Sequence, residues 1–318
     1  MCGNTFTGLV ALSLLLSAGA VARDAASTQD ATSSPQPVSH HVSVPATEPV
    51  FSNPAKQFQI MGKLKAPAER TVYLPVAQVK WMLHGEGAAR GFNTSAYQEV
   101  NSPIDAVRIG KIAQALHDDL VAQLEAAGWN VQTRQELGGD VPGYKTASAD
   151  ASLGVPLVKE RGGNEFVLVA PTGMPAVHNG GMALASVSMA TNSYMRGKPG
   201  LNLFVTYGFS TAAIGETKSR MLEMETKPVL TMFGSFNANT SASTAIANSE
   251  GVLVATGIGT LDLTHQTGTA TKVLAFVTKQ RGIDKKVYDL QPDWDKLEAE
   301  AIRGGKAFNT ELVGRISR

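Results

Sequence analysis

Cysteine is almost absent from this chain. The one cysteine among 318 residues is Cys2, which precedes the single long apolar run, residues 9–22. That run has the length of a secretory signal peptide and is short for a membrane span. We predict a signal peptide over residues 1–22, cleaved after Ala22 or alternatively after Ala20, because small residues end the run. The mature chain would then have no disulfide, no thiol nucleophile and no cysteine metal ligand.

The expected location follows from the same features. A cysteine-free exported protein of this size is typical of a bacterial envelope, so we expect the protein in the periplasm or secreted. Residues 1–8 lack Lys and Arg, which leaves an uncleaved N-terminal membrane anchor as the alternative. Cys2 lies on the wrong side of the apolar run for lipoprotein acylation. Beyond the signal segment, the sequence does not indicate membrane association.

An excess of charge of either sign is also lacking. The 28 basic and 27 acidic side chains give a net charge of +1, and only 17% of residues are charged. Such a balance provides no long-range field to attract nucleic acid or anionic lipid, so we expect no nucleic-acid partner. The 43% of hydrophobic residues can form a large core, and the 31 glycines favour closely packed strands.

The local motifs of several enzyme classes are missing. The sequence contains no G-x-S-x-G turn for a serine nucleophile, no H-E-x-x-H zinc pair and no G-x-x-x-x-G-K-[ST] phosphate loop. The stretch 257–262 (GIGTLD) lacks the third glycine of a dinucleotide-binding turn and lies in a predicted strand. Ser235 also lies in a predicted strand, where a serine packs rather than attacks. We predict no catalytic residue, no cofactor and no metal site.

The polar residues of the folded part are predicted to be structural. His117-Asp118-Asp119 is the densest polar cluster, but neighbours on a helix point in different directions. We therefore expect His117 to be solvated rather than a ligand. Asp262 and His265 are expected to form a surface pair. The histidines outside the predicted linker are His84, His117, His178 and His265.

Residues 23–56 are predicted to be a disordered linker, because they are rich in Ser, Thr, Pro, Ala and Gln and have no apolar period. His40-His41 lies within this linker and is expected to be solvated rather than to bind metal. A cluster of methionines is expected to provide polarizable packing rather than a soft-metal site. Its members are Met221, Met224 and Met232.

A strand–helix–strand unit organises the folded part. Residues 102–128 predict an amphipathic helix, with Ser102 as its N-cap and Gly128 as its stop. Apolar, β-branched runs at 71–83 and 129–133 predict the flanking strands. The apolar stripe of the helix consists of Ile109, Ile112, Leu116, Leu120, Leu124 and Ala127.

Residues 57–318 are predicted to form a single α/β (α+β) domain. Its expected order is a β-β-α-β-α-β core, then a long-stranded antiparallel β-meander, then a C-terminal helix. Pro75 predicts an edge position or a bulge in its strand. Residues 84–101 are predicted to be a loop, and Gly304-Gly305 is predicted to interrupt the last helix. The other predicted strands are 57–65, 165–170, 201–214, 227–239, 251–264 and 271–280, and the other helices 149–161, 183–190 and 293–316.

One stretch resembles a known envelope family. The Leu-Pro step in Val72-Tyr73-Leu74-Pro75, the helix ending in Leu-x-x-x-Gly-Trp-x-Val from Leu124 to Val131, and the strand 165–170 are similar to the periplasmic domain of curli-type secretion channel proteins. The resemblance implies an envelope-associated, oligomeric, non-enzymatic protein. Those channel proteins carry a lipid anchor on a cysteine after the signal, and this chain has none there. The whole chain most resembles an uncharacterised family of exported bacterial envelope proteins.

Three functional hypotheses follow. The first is an exported, soluble, non-catalytic envelope protein that binds or scaffolds another envelope protein or component through its β-rich half. The second is an oligomeric outer-membrane assembly or channel subunit that inserts hairpins from residues 201–280. The third is a hydrolase whose site is assembled from separate loops, a site that local motifs would not reveal.

Overall fold

The computed structural model describes residues 50–62, 67–90, 95–133, 144–160, 163–178, 184–217, 223–241, 243–267 and 283–317. The predicted signal peptide, Cys2, His40-His41, Met221 and the predicted strand 271–280 lie outside these residues. The helices are α1 (Pro54–Gln57), α2 (Ala106–Ala126), α3 (Leu184–Met195) and α4 (Trp294–Ile316).

The strands lie in three sheets, the largest of which has twelve strands within the described ranges. Its long path runs β1-β13-β12-β9-β2-β3-β16-β15, with β4, β6, β7 and β14 attached. The strands are β1 (Phe58–Gly62), β2 (Thr71–Arg90), β3 (Ser95–Asn101), β4 (Asn130–Thr133), β5 (Lys145–Thr146), β6 (Leu157–Lys159), β7 (Glu165–Val169), β8 (Val177–His178), β9 (Leu201–Ser210), β10 (Ala213–Thr217), β11 (Glu223–Lys227), β12 (Val229–Asn239), β13 (Thr244–Ser249), β14 (Val252–Thr256), β15 (Gly259–Thr267) and β16 (Ile283–Pro292). The fold class is α+β with a C-terminal helix, as the sequence predicts.

Strand β2 is the centre of the sheet. It pairs with β4 and β9 along its first half, with β7 near its middle and with β3 at its end. The register with β9 shifts between Tyr73 and Val76, so the bulge predicted at Pro75 is confirmed, although the strand is not an edge. The predicted loop 84–101 is wrong, because most of it forms the β2–β3 hairpin.

The two long helices pack together on one face of this sheet. Every large aliphatic side chain of the predicted α2 stripe is fully buried, and Gly128 ends the helix with a φ of +83°. The predicted N-cap is wrong: Asp105, not Ser102, accepts hydrogen bonds from the backbone N–H groups of Val107 and Arg108. Ser102 instead is buried and accepts a hydrogen bond from Thr211 Oγ1 at 2.8 Å.

Helix α4 is continuous, which corrects the interruption predicted at Gly304-Gly305. Both glycines are buried where α4 crosses its neighbours. A Cβ atom on Gly305 would lie 2.3 Å from Leu116 Cδ2, and one on Gly304 would lie 3.1 Å from Val254 Cγ2. These glycines therefore allow α4 to approach α2 and β14 closely, and the helix tolerates their lower propensity because packing holds it.

Two further predictions differ from the structure, two strands were missed, and one helix is longer than predicted. The predicted helix 149–161 is a turn followed by β6, because Gly154 adopts a φ of +68° and Pro156 follows it. The predicted strand 251–264 is broken into β14 and β15 by Gly257 and Gly259, both at positive φ. Strands β13 and β16 were not predicted. Helix α3 agrees with the prediction at 183–190 but extends to Met195.

The start of the folded part lies earlier than predicted. Val50 and Phe51 belong to the segment assigned to the linker, yet both are buried in the main core. The Phe51 ring packs against Phe58 with 5.0 Å between centroids. Among the described residues, none of the helices combines the length and the hydropathy needed to cross a membrane.

Candidate functional site

A groove lies on the sheet face opposite α2 and α4, lined by residues from both halves of the folded chain. Because side chains alternate along a strand, the apolar residues of β9 face the helices and the intervening Phe204 and Thr206 face the groove. Its volume is about 250 Å³. We call it the amide groove, and its polar and aromatic lining comprises Gln78, Tyr144, Phe204, Thr206, Ser235, Asn237 and Asn248.

The buried amide of Gln78 fixes one wall of the amide groove. Its Nε2 donates to the Val177 carbonyl and its Oε1 accepts from the Val177 N–H, both at 2.9 Å. The side chain thus imitates a strand neighbour and attaches β8 to the sheet. The same Nε2 lies 3.4 Å from Thr206 Oγ1, which orients that hydroxyl within the groove.

An aromatic pair lines the groove beside Val177 and Gln78. The ring of Tyr144 lies 4.0 Å from that of Phe204, with 10° between the ring planes. Its hydroxyl accepts a hydrogen bond from Asn237 Nδ2 at 3.5 Å, and Asn239 Nδ2 donates to Asn237 Oδ1 at 2.8 Å. Burial raises the pKa of Tyr144, so the phenol is neutral at physiological pH.

The described lining of the groove contains no carboxylate. Its cationic side chain, Lys80, forms an ion pair with Glu160 and lies over the ring of Phe166 at 4.2 Å. The remaining groups are amides, hydroxyls, one imidazole and apolar side chains. This arrangement can bind an uncharged molecule that offers hydroxyl or amide groups, because the amides of Asn237 and Asn248 can both donate and accept.

A second polar group lies beyond the N-terminal ends of α2 and α4. The register of β2, β3 and β16 places His84, Asn101 and Asp289 in one row across the sheet, and Glu86 and Glu99 in the next. One ligand atom each of His84, Glu86 and Glu99 lies within 4.8 Å of the others. We call these three residues the histidine–carboxylate cluster.

A chain of hydrogen bonds orients the histidine of this cluster. Asn101 Nδ2 donates to Asp289 Oδ1 at 2.8 Å, which turns the amide oxygen of Asn101 towards His84 Nδ1 at 2.9 Å. The imidazole proton is thereby assigned to Nδ1. The other ring nitrogen, Nε2, lies 3.3 Å from Glu86 Oε1. Glu99 pairs with Lys285 at 2.9 Å.

The sequence-derived cluster His117-Asp118-Asp119 is not a site. His117 is buried rather than solvated, which corrects the prediction, and its Nδ1 lies 3.2 Å from Asp118 Oδ1. Asp119 is directed to α4, where its Oδ2 accepts from Asn309 Nδ2 at 2.9 Å. The three side chains therefore do not converge, as the helical geometry predicts.

The other residues considered from the sequence lie in several parts of the fold. Asp262 lies opposite Asp289 and His265 opposite Val287, so the two occupy successive rows with a register shift between Leu263 and His265. Met232 is buried in the core. The backbone at Gly234 packs against the Phe308 ring, and its N–H donates to Ser249 Oγ.

Sequence reasoning assigned no role to the residues of the histidine–carboxylate cluster. The sequence pattern that could have revealed them is the alternation in His84-Gly-Glu86 and Glu99-Val-Asn101, because alternate residues of a strand lie on the same face. The pattern indicates a cluster only if residues 84–101 are first predicted to form a hairpin. The chain matches no protein-family model, no curated protein and no solved structure.

Proposed function

We propose that this is an exported, non-catalytic envelope protein that binds an uncharged, hydroxyl-rich ligand, a saccharide unit of an envelope glycan, in the amide groove. The observation that carries the proposal is the Tyr144–Phe204 stack in the same groove as the amides of Asn237 and Asn248. A sugar ring has one apolar face for an aromatic ring and hydroxyls around its edge for amides.

The size of the groove supports a small ligand unit. Its volume of about 250 Å³ lies just below the range of about 300–1,000 Å³ that is common for sites holding drug-sized molecules. One sugar ring of a longer chain fits this space better than a folded partner. The export expected from residues 9–22 would bring the groove into contact with envelope glycans.

The charge states of the side chains that line the amide groove favour an uncharged ligand. Lys80 is already paired with Glu160, and Tyr144 is neutral. A charged ligand would lose its hydration without an unpaired counter-ion among the described lining residues. The groove therefore favours a neutral molecule.

The hydrolase hypothesis keeps one observation in its favour. Ser235 and His178 line the same groove. No carboxylate is among the described lining residues, so the third member of a triad would have to come from outside them. Hydrolysis of p-nitrophenyl acetate by the purified protein, abolished in Ser235→Ala, would favour the hydrolase over the binding protein.

The test of the proposed function uses two probes: purified peptidoglycan in co-sedimentation, and tri-N-acetylchitotriose in isothermal titration calorimetry. The wild type is expected to bind, and Tyr144→Ala to weaken binding by about tenfold or more, since a stacking contact of about 1–1.5 kcal/mol and its hydrogen bond are removed. Tyr194→Ala on α3, outside the groove, is the matched control. Equal binding by Tyr144→Ala and wild type, or no binding by wild type to either probe, would contradict the proposal.

A further inference from the structure

One contact in the histidine–carboxylate cluster needs a positive charge between its two facing atoms. With the proton on Nδ1, Nε2 of His84 presents a lone pair to Glu86 Oε1 at 3.3 Å. Two hydrogen-bond acceptors at this distance repel each other. Either a second proton on the ring or a metal cation between the two atoms would remove the repulsion.

A second, independent observation concerns Tyr97, whose ring lies in the row next to Glu99. Tyr97 is only 5% exposed, and its hydroxyl has no hydrogen-bond partner of acceptable geometry in the described part of the chain. Alternation along β3 places Tyr97 on the same face as Glu99, and the antiparallel register places Glu86 opposite Glu99. The hydroxyl is directed at these two carboxylates and is available to a water between them.

We propose that His84, Glu86 and Glu99 bind one divalent transition-metal ion of the Zn²⁺ or Mn²⁺ class, with water in the remaining positions and the Tyr97 hydroxyl bonded to one such water. One imidazole nitrogen with two carboxylate oxygens suits these ions better than Ca²⁺ or Mg²⁺, which prefer oxygen ligands alone. Ligands about 2.1 Å from an ion lie about 3–3.5 Å from one another. The present limit of 4.8 Å therefore requires only a small contraction of three side chains.

The surroundings of the cluster have the features of a supported metal site. The Asp289–Asn101–His84 chain is the hydrogen-bonded relay that fixes the tautomer of a metal-binding histidine. Glu86 is held from the other side, since its N–H donates to Asn164 Oδ1 at 3.0 Å. Gly163 lies beside it with a φ of +87°, and a Cβ atom there would lie 2.0 Å from the Glu86 carboxylate and displace it.

Charge and access also agree with a divalent ion. Glu86 and Glu99 bring two carboxylates to the cluster, Lys285 pairs with Glu99, and Asp289 lies nearby through its hydrogen bond with Asn101. The side chains of His84, Glu86 and Glu99 are 18%, 9% and 13% exposed, so they are largely desolvated but reachable. An open groove of about 610 Å³ leads to His84 between the start of α2 and the end of β16.

The experiment is calorimetric titration of the EDTA-treated, dialysed mature chain with ZnCl₂ and separately with MnCl₂, MgCl₂ and CaCl₂. We expect one site for Zn²⁺ or Mn²⁺, at least tenfold tighter than for Mg²⁺ or Ca²⁺. His84→Ala and Glu99→Gln are each expected to weaken that site by tenfold or more. Asn101→Ala, which removes only the positioning residue, should weaken it by 10- to 100-fold while the stoichiometry stays at one.

Two control variants separate this site from adventitious binding by other histidines. His265→Ala changes an exposed histidine of β15, and the double variant His40→Ala/His41→Ala removes the tandem pair. Both should bind as the wild type does. Glu99→Gln preserves the volume of the side chain, so circular dichroism should show a native fold even if His84→Ala fails to fold.

Three results would overturn the proposal. The first is the absence of binding by wild type. The second is binding that survives both His84→Ala and Glu99→Gln. The third is an imidazole of His84 that remains doubly protonated at pH 7 by NMR in the presence of saturating Zn²⁺, which would identify a proton as the charge beside Glu86.

Discussion

The crossing of α2 and α4 at Gly305 allows a sharp test of the packing argument through Gly305→Ala. Three atoms of Leu116 would lie 2.3, 2.5 and 2.9 Å from the new Cβ atom. Leu116 is fully buried, so its side chain has no solvent space into which it can turn. Overpacking of this kind costs about 1–3 kcal/mol. Alanine gains about 1 kcal/mol over glycine in helix propensity. Contact with three atoms indicates the upper part of the range, so we expect a net loss of about 1–2 kcal/mol.

Gly314→Ala is the matched control for this prediction. It makes the same chemical change in the same helix, but a Cβ atom there would meet nothing within 4 Å. We expect Gly314→Ala to stabilise the protein by about 0.5–1 kcal/mol. Urea unfolding followed by far-UV circular dichroism would measure the free energy of unfolding of both variants. In a thermal melt, Gly305→Ala should lower Tm by about 2–6 °C. If Gly305→Ala proved as stable as Gly314→Ala, the close approach of the two helices would be refuted.

Three further perturbations test the ends of the fold and its buried phenol. Asp293→Ala removes the N-cap of α4 and should lower the unfolding free energy by about 0.5–2 kcal/mol in urea; no change would contradict the cap. Phe51→Ala should lower the free energy of unfolding by about 3 kcal/mol, because the buried ring packs on Phe58. An unchanged urea midpoint would show that residue 51 does not contribute to the core. Burial raises the pKa of Tyr207 above its ordinary value of 10.0, so its contribution to stability is complete below pH 10 and is lost as the pH rises further. Between pH 9 and 11 the free energy of unfolding should therefore fall less steeply with pH in Tyr207→Phe than in the wild type. The variant also loses the hydrogen bond to Asn309, but it loses it at every pH. Equal slopes in the two proteins would contradict the raised pKa of Tyr207.

The sequence predicted elements whose signal is local and strong. The α2 stripe repeats at helical spacing, and each of its large aliphatic residues is worth about 1.5–3 kcal/mol on burial, so no other arrangement of that segment competes. Strand β7 was predicted for a similar reason, as a short apolar run buried on both sides. The helix predicted over 149–161 had no such stripe, and its Gly154 and Pro156 decided the local conformation.

The β2–β3 hairpin was missed because its signal is not local. Gly85, Gly87, Ala88 and Ala89 have low strand propensity, so the end of β2 looks like a loop in isolation. Its order comes from β3 and, through it, from β16, nearly 200 residues later in the chain, with Ser95 opposite Ile283. Tertiary pairing overrides propensity here.

The histidine–carboxylate cluster was missed for the same reason. Neither His84-Gly-Glu86 nor Glu99-Val-Asn101 matches a known metal-binding spacing. The two pairs become one cluster only because the antiparallel register places Glu86 opposite Glu99. The amide groove likewise combines single residues from β2, β9, β12 and β13, which no local pattern could group.

The order in which the sheet is closed has a consequence for folding. Strand β1 pairs with β13, with Phe58 opposite Ser249, and β3 pairs on one side with β16. In both pairs the second strand lies far later in the chain. A chain emerging from the ribosome therefore holds α2 and β2 long before the strands that complete the sheet exist. Closure of loops this long is entropically costly and slow. We expect these long-range pairings to form late in folding, and a chain truncated before β16 would lack the Asp289 and Lys285 that contact the histidine–carboxylate cluster.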